Sequence, residues 1–385
     1  MSESAQTGGG SRPSKTNPAD PPDGQYGPSS AESLRTVLTE QDDVSLRKEV
    51  IDGDQPGMQP VAWRDAVWEW REWYKDSKDS SAVLENDVGE TVKVGDPNRF
   101  HPDYGDKQYA KLKDLERGLK AEYGKRLHTA MVSLSASSTD EDGNPLPPVD
   151  HLLELLESTE AVMRALRRVL EGRRYEYLVI LEPHKSGYLH IHIGVFVDGV
   201  IRAVDFEPVI EAHLRNCDLA GEDAHEIVPD QPNESAVSVN HTGGDRDDGS
   251  IENLASYLSE YIGVYGEEPL EQAEHVQMAN AILWATGKRR WRPSQPDYVE
   301  CSGCGTKHHP EAECHECGST DTEPLPENYS RGASYYMATN RGVPDPSWEL
   351  VGIEDGDGEL HEIEGDVSGG VTKLDTYIPG RPPPD

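Results

Sequence analysis

The chain has 385 residues, room for one large domain or two to three smaller ones. It carries 72 Asp and Glu against 36 Lys and Arg, a net charge of −36, with the acid spread along the whole length rather than gathered in a tail. It shows neither a run of 18 or more apolar residues nor a basic-then-apolar leader, so the expectation excludes a membrane-spanning protein and one secreted through a signal segment.

A dispersed acidic surface keeps a protein hydrated at molar salt, which points to the cytoplasm of a halophile. The charge does not exclude DNA as a partner. Counterion release weakens as salt rises, so a nucleic-acid protein there leans on stacking, metal bridges and local Arg clusters. Four of the five cysteines fall in two close pairs, which in an intracellular chain reads as metal ligation before disulfides.

Taken in order, residues 1–45 are rich in Ser, Gly, Pro and Asp and are expected as a disordered tail. Residues 46–124 form a helical N-terminal region. In VAWRDAVWEWREWYKD, Trp63, Val67, Trp70 and Tyr74 recur at helical spacing. A polar loop leads to a second helix over residues 109–123, with Leu112, Leu115 and Leu119 on one side. A short strand over residues 129–135 comes next, then a Pro-rich loop, and Asp150 is expected to cap one long helix running to Leu170. Two apolar runs, residues 177–181 and 188–197, flank a turn at residues 183–187 and read as a β-hairpin. A helix over residues 206–216 carries Cys217 near its end as a small buried hydrophobe, followed by a strand over 235–240 and a helix over 251–262. That order of elements fits a split β-α-β arrangement, an α+β domain over residues 125–295 with a small antiparallel sheet flanked by helices.

Cys301-x2-Cys304 and Cys314-x2-Cys317 are nine residues apart, and each pair is followed by Gly. Two such turns offer four thiolates to a tetrahedral Zn²⁺ that keeps no open position, so a structural zinc module is expected over residues 296–322. Residues 323–385 are an acidic, Pro-rich extension with an Asp/Gly hairpin signal at IEDGDGELHEI.

Within the predicted hairpin, His190 and His192 are two apart and leave the same face of the strand. Glu182 can be carried across to the same neighbourhood. Two imidazoles and a carboxylate make a candidate divalent-metal site; the same pattern also describes a half-buried, hydrogen-bonded pair. Tyr257 and Tyr261, four apart, share one helix face, either packing on the sheet or poised as nucleophiles. A phenol with a pKa of about 10 is a poor nucleophile. A metal on a scissile phosphate offsets that weakness, and the product would be a covalent phosphotyrosine. Lys288, Arg289, Arg290 and Arg292 around Trp291 form a local basic run that can grip a backbone and stack a base of single-stranded DNA, or simply form a solvated turn. The sequence contains no GxxxxGK[ST] loop, so strand separation is expected from a host helicase.

Three segments in order, MVSLSAS (131–137), EPHKSGYLHIHIGVF (182–196) and SYLSEYIG (256–263), resemble the motifs of the HUH-endonuclease rolling-circle replication initiators, in particular those of haloarchaeal plasmids and viruses. The resemblance spans roughly residues 105–295. It implies an HUH-type ferredoxin-like sheet, with His190, His192 and Glu182 as ligands of Mg²⁺ or Mn²⁺ and Tyr257 and Tyr261 as nucleophiles. It also implies single-stranded origin DNA as substrate, a 5′-phosphotyrosine intermediate, and a host helicase and polymerase as partners. Glu260 stands where members often carry Lys, and His184 competes with Glu182 as third ligand. A transposase or relaxase of the same chemistry, and a non-catalytic zinc-containing DNA-binding protein, are the alternatives.

Overall fold

The computed structural model describes residues 28–52, 59–86, 88–95, 98–228, 235–241, 268–294, 299–303, 307–308, 317, 319–324 and 349–362. Ordered packing already exists at residue 30, where a one-turn helix α1 (Ser30–Ser33) leads to the fully buried Leu38. Backbone bonds anchor this segment: Val149 N–H donates to Leu38 O (2.9 Å) and Trp63 N–H to Thr36 O (2.8 Å). Residues 28–45 therefore depart from the expected tail, because Leu38 gives an otherwise polar stretch an apolar anchor.

A two-residue ladder, β1 (Ile51–Asp52) with β2 (Gln59–Pro60), precedes α2 (Trp63–Ser77), which buries Trp63, Ala66, Trp70 and Tyr74 along one stripe. The polar loop expected next is instead an antiparallel hairpin, β3 (Ser81–Glu85) with β4 (Thr91–Gly95). Helix α3 (Pro102–Tyr123) starts earlier than its leucine spacing suggested, since Pro102 suits a first turn and His101 Nδ1 accepts the Asp103 N–H (3.1 Å) as a cap. Strand β5 (Leu127–Leu134) follows.

The single helix expected over residues 150–170 is two, α4 (Pro148–Glu157) and α5 (Thr159–Val169). They meet at Ser158, whose fully buried hydroxyl donates to Leu155 O (3.0 Å) and lies 2.7 Å from His213 Nδ1. Asp150 is not the N-cap; it sits in the first turn of α4 and accepts from Glu40 N–H (2.9 Å) and the Thr39 hydroxyl. The hairpin β6 (Tyr175–Pro183) and β7 (Leu189–Asp198) is as expected. Its turn closes through His184 N–H to Tyr188 O (2.7 Å), and Gly187 takes φ +87°, a region costly to other residues. Then come α6 (Glu207–Leu214), the buried Cys217, β8 (Val237–His241), α7 (Glu274–Thr286) and β9 (Trp291–Pro293). Helix α7 is absent from the sequence-based expectation. It is buried on every side from Gln277 to Ala285, so no polar face marks its period.

Strands β8-β5-β7-β6-β9 form one antiparallel sheet in that order. Strands β5 and β6 run in the same direction with β7 between them, and α4 and α5 make the crossover: the split β-α-β topology of an α+β fold. One face, with Val132, Leu134, Leu181, Ile191, Ile193 and Val195, packs against residues of α2 and of α4 through α7. The other, with Met131, Leu178, Ile180 and Phe196, packs against Leu112, Leu115, Leu119 and Tyr123 of α3. Each fully buried branched side chain contributes about 1.5–3 kcal/mol, which makes register slippage in this sheet expensive.

Farther on, β10 (Val299–Cys301), β11 (Lys307–His308) and β12 (Thr322–Pro324) form a three-stranded sheet. Strands β13 (Glu349–Glu354) and β14 (Leu360–Glu362) complete a four-stranded sheet by pairing β13 with β3, so the acidic C-terminal extension and the N-terminal region share a ladder. Among the described residues, no helix is long and apolar enough to cross a membrane.

Candidate functional site

The site grows from the alternation of β7, Leu-His-Ile-His-Ile. Ile191 and Ile193 enter the larger core, so His190 and His192 emerge on the face that α3 covers. In register, Glu182 of β6 sits opposite His190, and Ser133 of β5 sits opposite His192. The leucines of α3 pack on that face around Met131 and Phe196, while its other end is polar.

Glu182, His190 and His192 are only 4%, 6% and 2% exposed, so each polar group needs a partner. They supply one another. His190 Nε2 lies 3.2 Å from Glu182 Oε2 and 2.8 Å from His192 Nε2, and His192 Nε2 also pairs with that carboxylate oxygen. Burial by itself would raise the Glu182 carboxyl. The charge of His192 and the hydrogen bonds from both imidazoles outweigh it and hold the group well below the usual carboxylate range. Ser133 Oγ lies 3.0 Å from His192 Nδ1, fixing the ring with Nε2 toward the carboxylate.

One donor atom from each of these three residues lies within 4.8 Å of the others. Two imidazole nitrogens and a carboxylate oxygen converging on one point, with one ring oriented from behind, fit a divalent cation. The hydrogen-bonded reading of the pair is observed, and the atoms that bond one another are those a cation would take. His184 lies outside the set. Its ring packs edge-on against His190 (centroids 4.2 Å), and burial, followed by the neighbouring His190, pushes its pKa well down.

Tyr257 and Tyr261 lie outside the described residues, as do Cys304 and Cys314. Of the cysteine set, the described members are Cys301, buried on β10, and Cys317, with sulfurs 3.4 Å apart. That is close to the roughly 3.8 Å edge of a tetrahedron with ~2.3 Å metal–sulfur bonds.

The basic run is divided by its own backbone. Trp291 is half-buried against the α3-side core, and Arg290 turns to the opposite face, where its guanidinium donates to Asn280 of α7. Burial, with Arg99 nearby, lowers the Arg290 pKa to about 10. These two residues are part-buried and engaged by the protein, whereas Lys288, Arg289 and Arg292 are exposed. The reason is that Trp291 belongs to an edge strand and not to a free turn. Sequence reasoning missed Ser133: it read the strand but not the cross-strand register, which is the signal that would have found it.

A family model described as "Putative rep protein (DUF1424)" matches residues 38–310. The chain is 48% identical over 258 residues to an "Uncharacterized 36 kDa protein" of Halobacterium salinarum, covering 67% of this chain and 82% of that one. It is 40% identical over 349 residues to a protein of the same description from Halobacterium sp. (strain GN101), covering 88% and 95%. No solved structure matches.

Proposed function

The chain belongs to the rep-protein family whose model matches residues 38–310, and from that premise we propose that it initiates replication by nicking and rejoining single-stranded origin DNA in the manner of an HUH endonuclease. The observation that carries this reading is the buried Glu182–His190–His192 cluster, one donor atom from each within 4.8 Å of the others. A divalent cation, Mg²⁺ or Mn²⁺, held there would supply positive charge at the scissile phosphate.

The chain's own residues supply the rest. Ser133 orients His192, and without a cation the two imidazoles hold the Glu182 carboxylate ionised; with a cation bound, each Nε2 would give up its proton and offer a lone pair beside the carboxylate. Tyr257 or Tyr261 attacks phosphorus: the P–O3′ bond breaks as a P–O(Tyr) bond forms, the phenol loses its proton and the 3′ oxygen gains one. One phosphodiester is exchanged for another, so the reverse reaction rejoins the strand. The free 3′ hydroxyl primes a host polymerase, and a host helicase separates the strands. Cys301, Cys304, Cys314 and Cys317 would hold a Zn²⁺ in a structural role. The acidic excess and the Halobacterium relatives support a halophile's cytoplasm as the setting.

The test incubates the protein with Mn²⁺ and labelled single-stranded origin fragments and looks for a denaturant-resistant protein–DNA adduct. Mass spectrometry of the DNA-linked peptide should place the phosphate on Tyr257 or Tyr261. An absent adduct, or one that survives the double substitution Tyr257→Phe with Tyr261→Phe, refutes the reading. DNA binding that persists without any adduct favours a non-catalytic DNA-binding protein instead.

A further inference from the structure

Helix α2 has three chemically distinct faces. Trp63, Ala66, Trp70 and Tyr74 form the buried one. At about 100° per residue, Arg64, Trp68, Arg71 and Lys75 share an arc of roughly 60°. Asp65, Glu69, Glu72 and Asp76 lie about 100° farther round the same helix. In a chain with 72 acids against 36 bases, three cations grouped around a tryptophan run against the prevailing charge. Trp68 is 59% exposed, whereas Trp63, Trp70 and Trp284 are buried. Lys75 Nζ stands 5.8 Å from the centroid of the Trp68 ring. Arg71 ties this face to the body of the protein, donating to the Gln277 side chain of α7 and, at 3.5 Å, to Leu270 O. Arg64 pairs with Asp65 (3.3 Å) and Lys75 with Glu72 (2.5 Å), but both pairs face solvent, where such contacts contribute little and exchange readily.

A flat aromatic surface set between cations suits a partner that offers exposed planar rings and a regular run of negative charge. Single-stranded nucleic acid offers both. A duplex hides its ring faces within the stack, and an acidic protein brings the charge without the rings. We propose that this face of α2 is an accessory binding surface for single-stranded DNA, with a base stacked on Trp68 and flanking phosphates on Arg64 and Lys75. The choice of DNA rests on the nicking reading above. Stacking does not draw on counterion release, so it persists at salt concentrations that weaken phosphate contacts. Trp63, Ala66 and Trp70 belong to the core on the sheet face opposite α3, so this surface is separate from the cluster of Glu182, His190 and His192.

The test titrates a labelled oligothymidylate with the full chain in EDTA, by fluorescence anisotropy at several salt concentrations. Photocross-linking of a 5-iodouracil oligonucleotide to wild type, read by mass spectrometry, locates the stacked residue without any substitution. Trp68→Ala should lose about tenfold in affinity while Trp68→Phe stays within about threefold of wild type. Arg64→Ala combined with Lys75→Ala should reduce the slope of log affinity on log salt by about 0.7 for each charge removed. A cross-link on Trp68 supports the surface even if a variant fails to fold. Affinity of Trp68→Ala within about twofold of wild type, or cross-links confined to other elements, overturns it. Mn²⁺-dependent adduct formation by wild type, measured alongside, reports on the nicking reading separately: an adduct with no role for Trp68 sinks the surface alone.

Discussion

Ser133→Ala probes the cluster from behind. If His192 offers Nε2 to a cation, its Nδ1 carries the proton and donates to the Ser133 hydroxyl at 3.0 Å. The substitution removes one oxygen from a strand whose neighbours, Val132 and Leu134, stay buried in the other core, so the packing loss is small. A neutral hydrogen bond contributes about 1 kcal/mol, or roughly a fivefold change in affinity. Partners that orient metal-bound imidazoles cost about 10–100-fold when removed. The expectation is therefore Mn²⁺ binding weakened between about 5- and 100-fold, with Ser133→Thr close to wild type because it keeps the hydroxyl. Calorimetric Mn²⁺ titration, with thermal melts in EDTA alongside, measures both. Unchanged Mn²⁺ affinity in Ser133→Ala, in a protein where His192→Ala abolishes binding, would show that the hydroxyl does not orient the ligand.

Saturating Mn²⁺ at about 100 times its dissociation constant should stabilise the fold by roughly 2.7 kcal/mol; this gain should vanish in His190→Ala, and a wild-type melting curve indifferent to Mn²⁺ contradicts the site. Gly187→Ala should destabilise by about 2–3 kcal/mol, because φ is +87° and an added Cβ would meet Met278 Cβ at 2.9 Å; denaturant midpoints matching wild type would refute the strain. His213 supplies a pH dependence. Burial, and then the charge of His225, lowers its pKa to about 4, against about 6.5 for an ordinary imidazole. The folded state binds fewer protons in that window, so this contribution is complete above about pH 6.5 and is lost as pH falls toward 4, roughly 3 kcal/mol in all. Chemical denaturation from neutral to acid pH should show the decline, and His213→Gln should flatten it; a wild-type profile no steeper than the variant's excludes the mechanism.

Periodicity made much of this molecule legible in its sequence. Strand β7 alternates so cleanly that the common face of His190 and His192 follows from the order of residues alone, and the short turn before it brings Glu182 alongside. Covalent spacing carries that information, because the backbone fixes which way each side chain leaves. The stripe of Trp63, Trp70 and Tyr74 was legible for the same reason.

Tertiary structure alone decided the rest. Helix α7 carries no amphipathic signature because neighbours cover it on all sides. Residues 28–45 are ordered by Leu38 and by bonds to Val149 and Asp150, more than a hundred positions away. Asp150 looks like a helix cap until those distant donors claim it. The surroundings of Ser133 and Arg290 depend on which strands lie side by side, and β9 reaches β6 from more than a hundred residues down the chain. Local spacing determines the face a side chain occupies; only long-range pairing determines which side chain stands opposite.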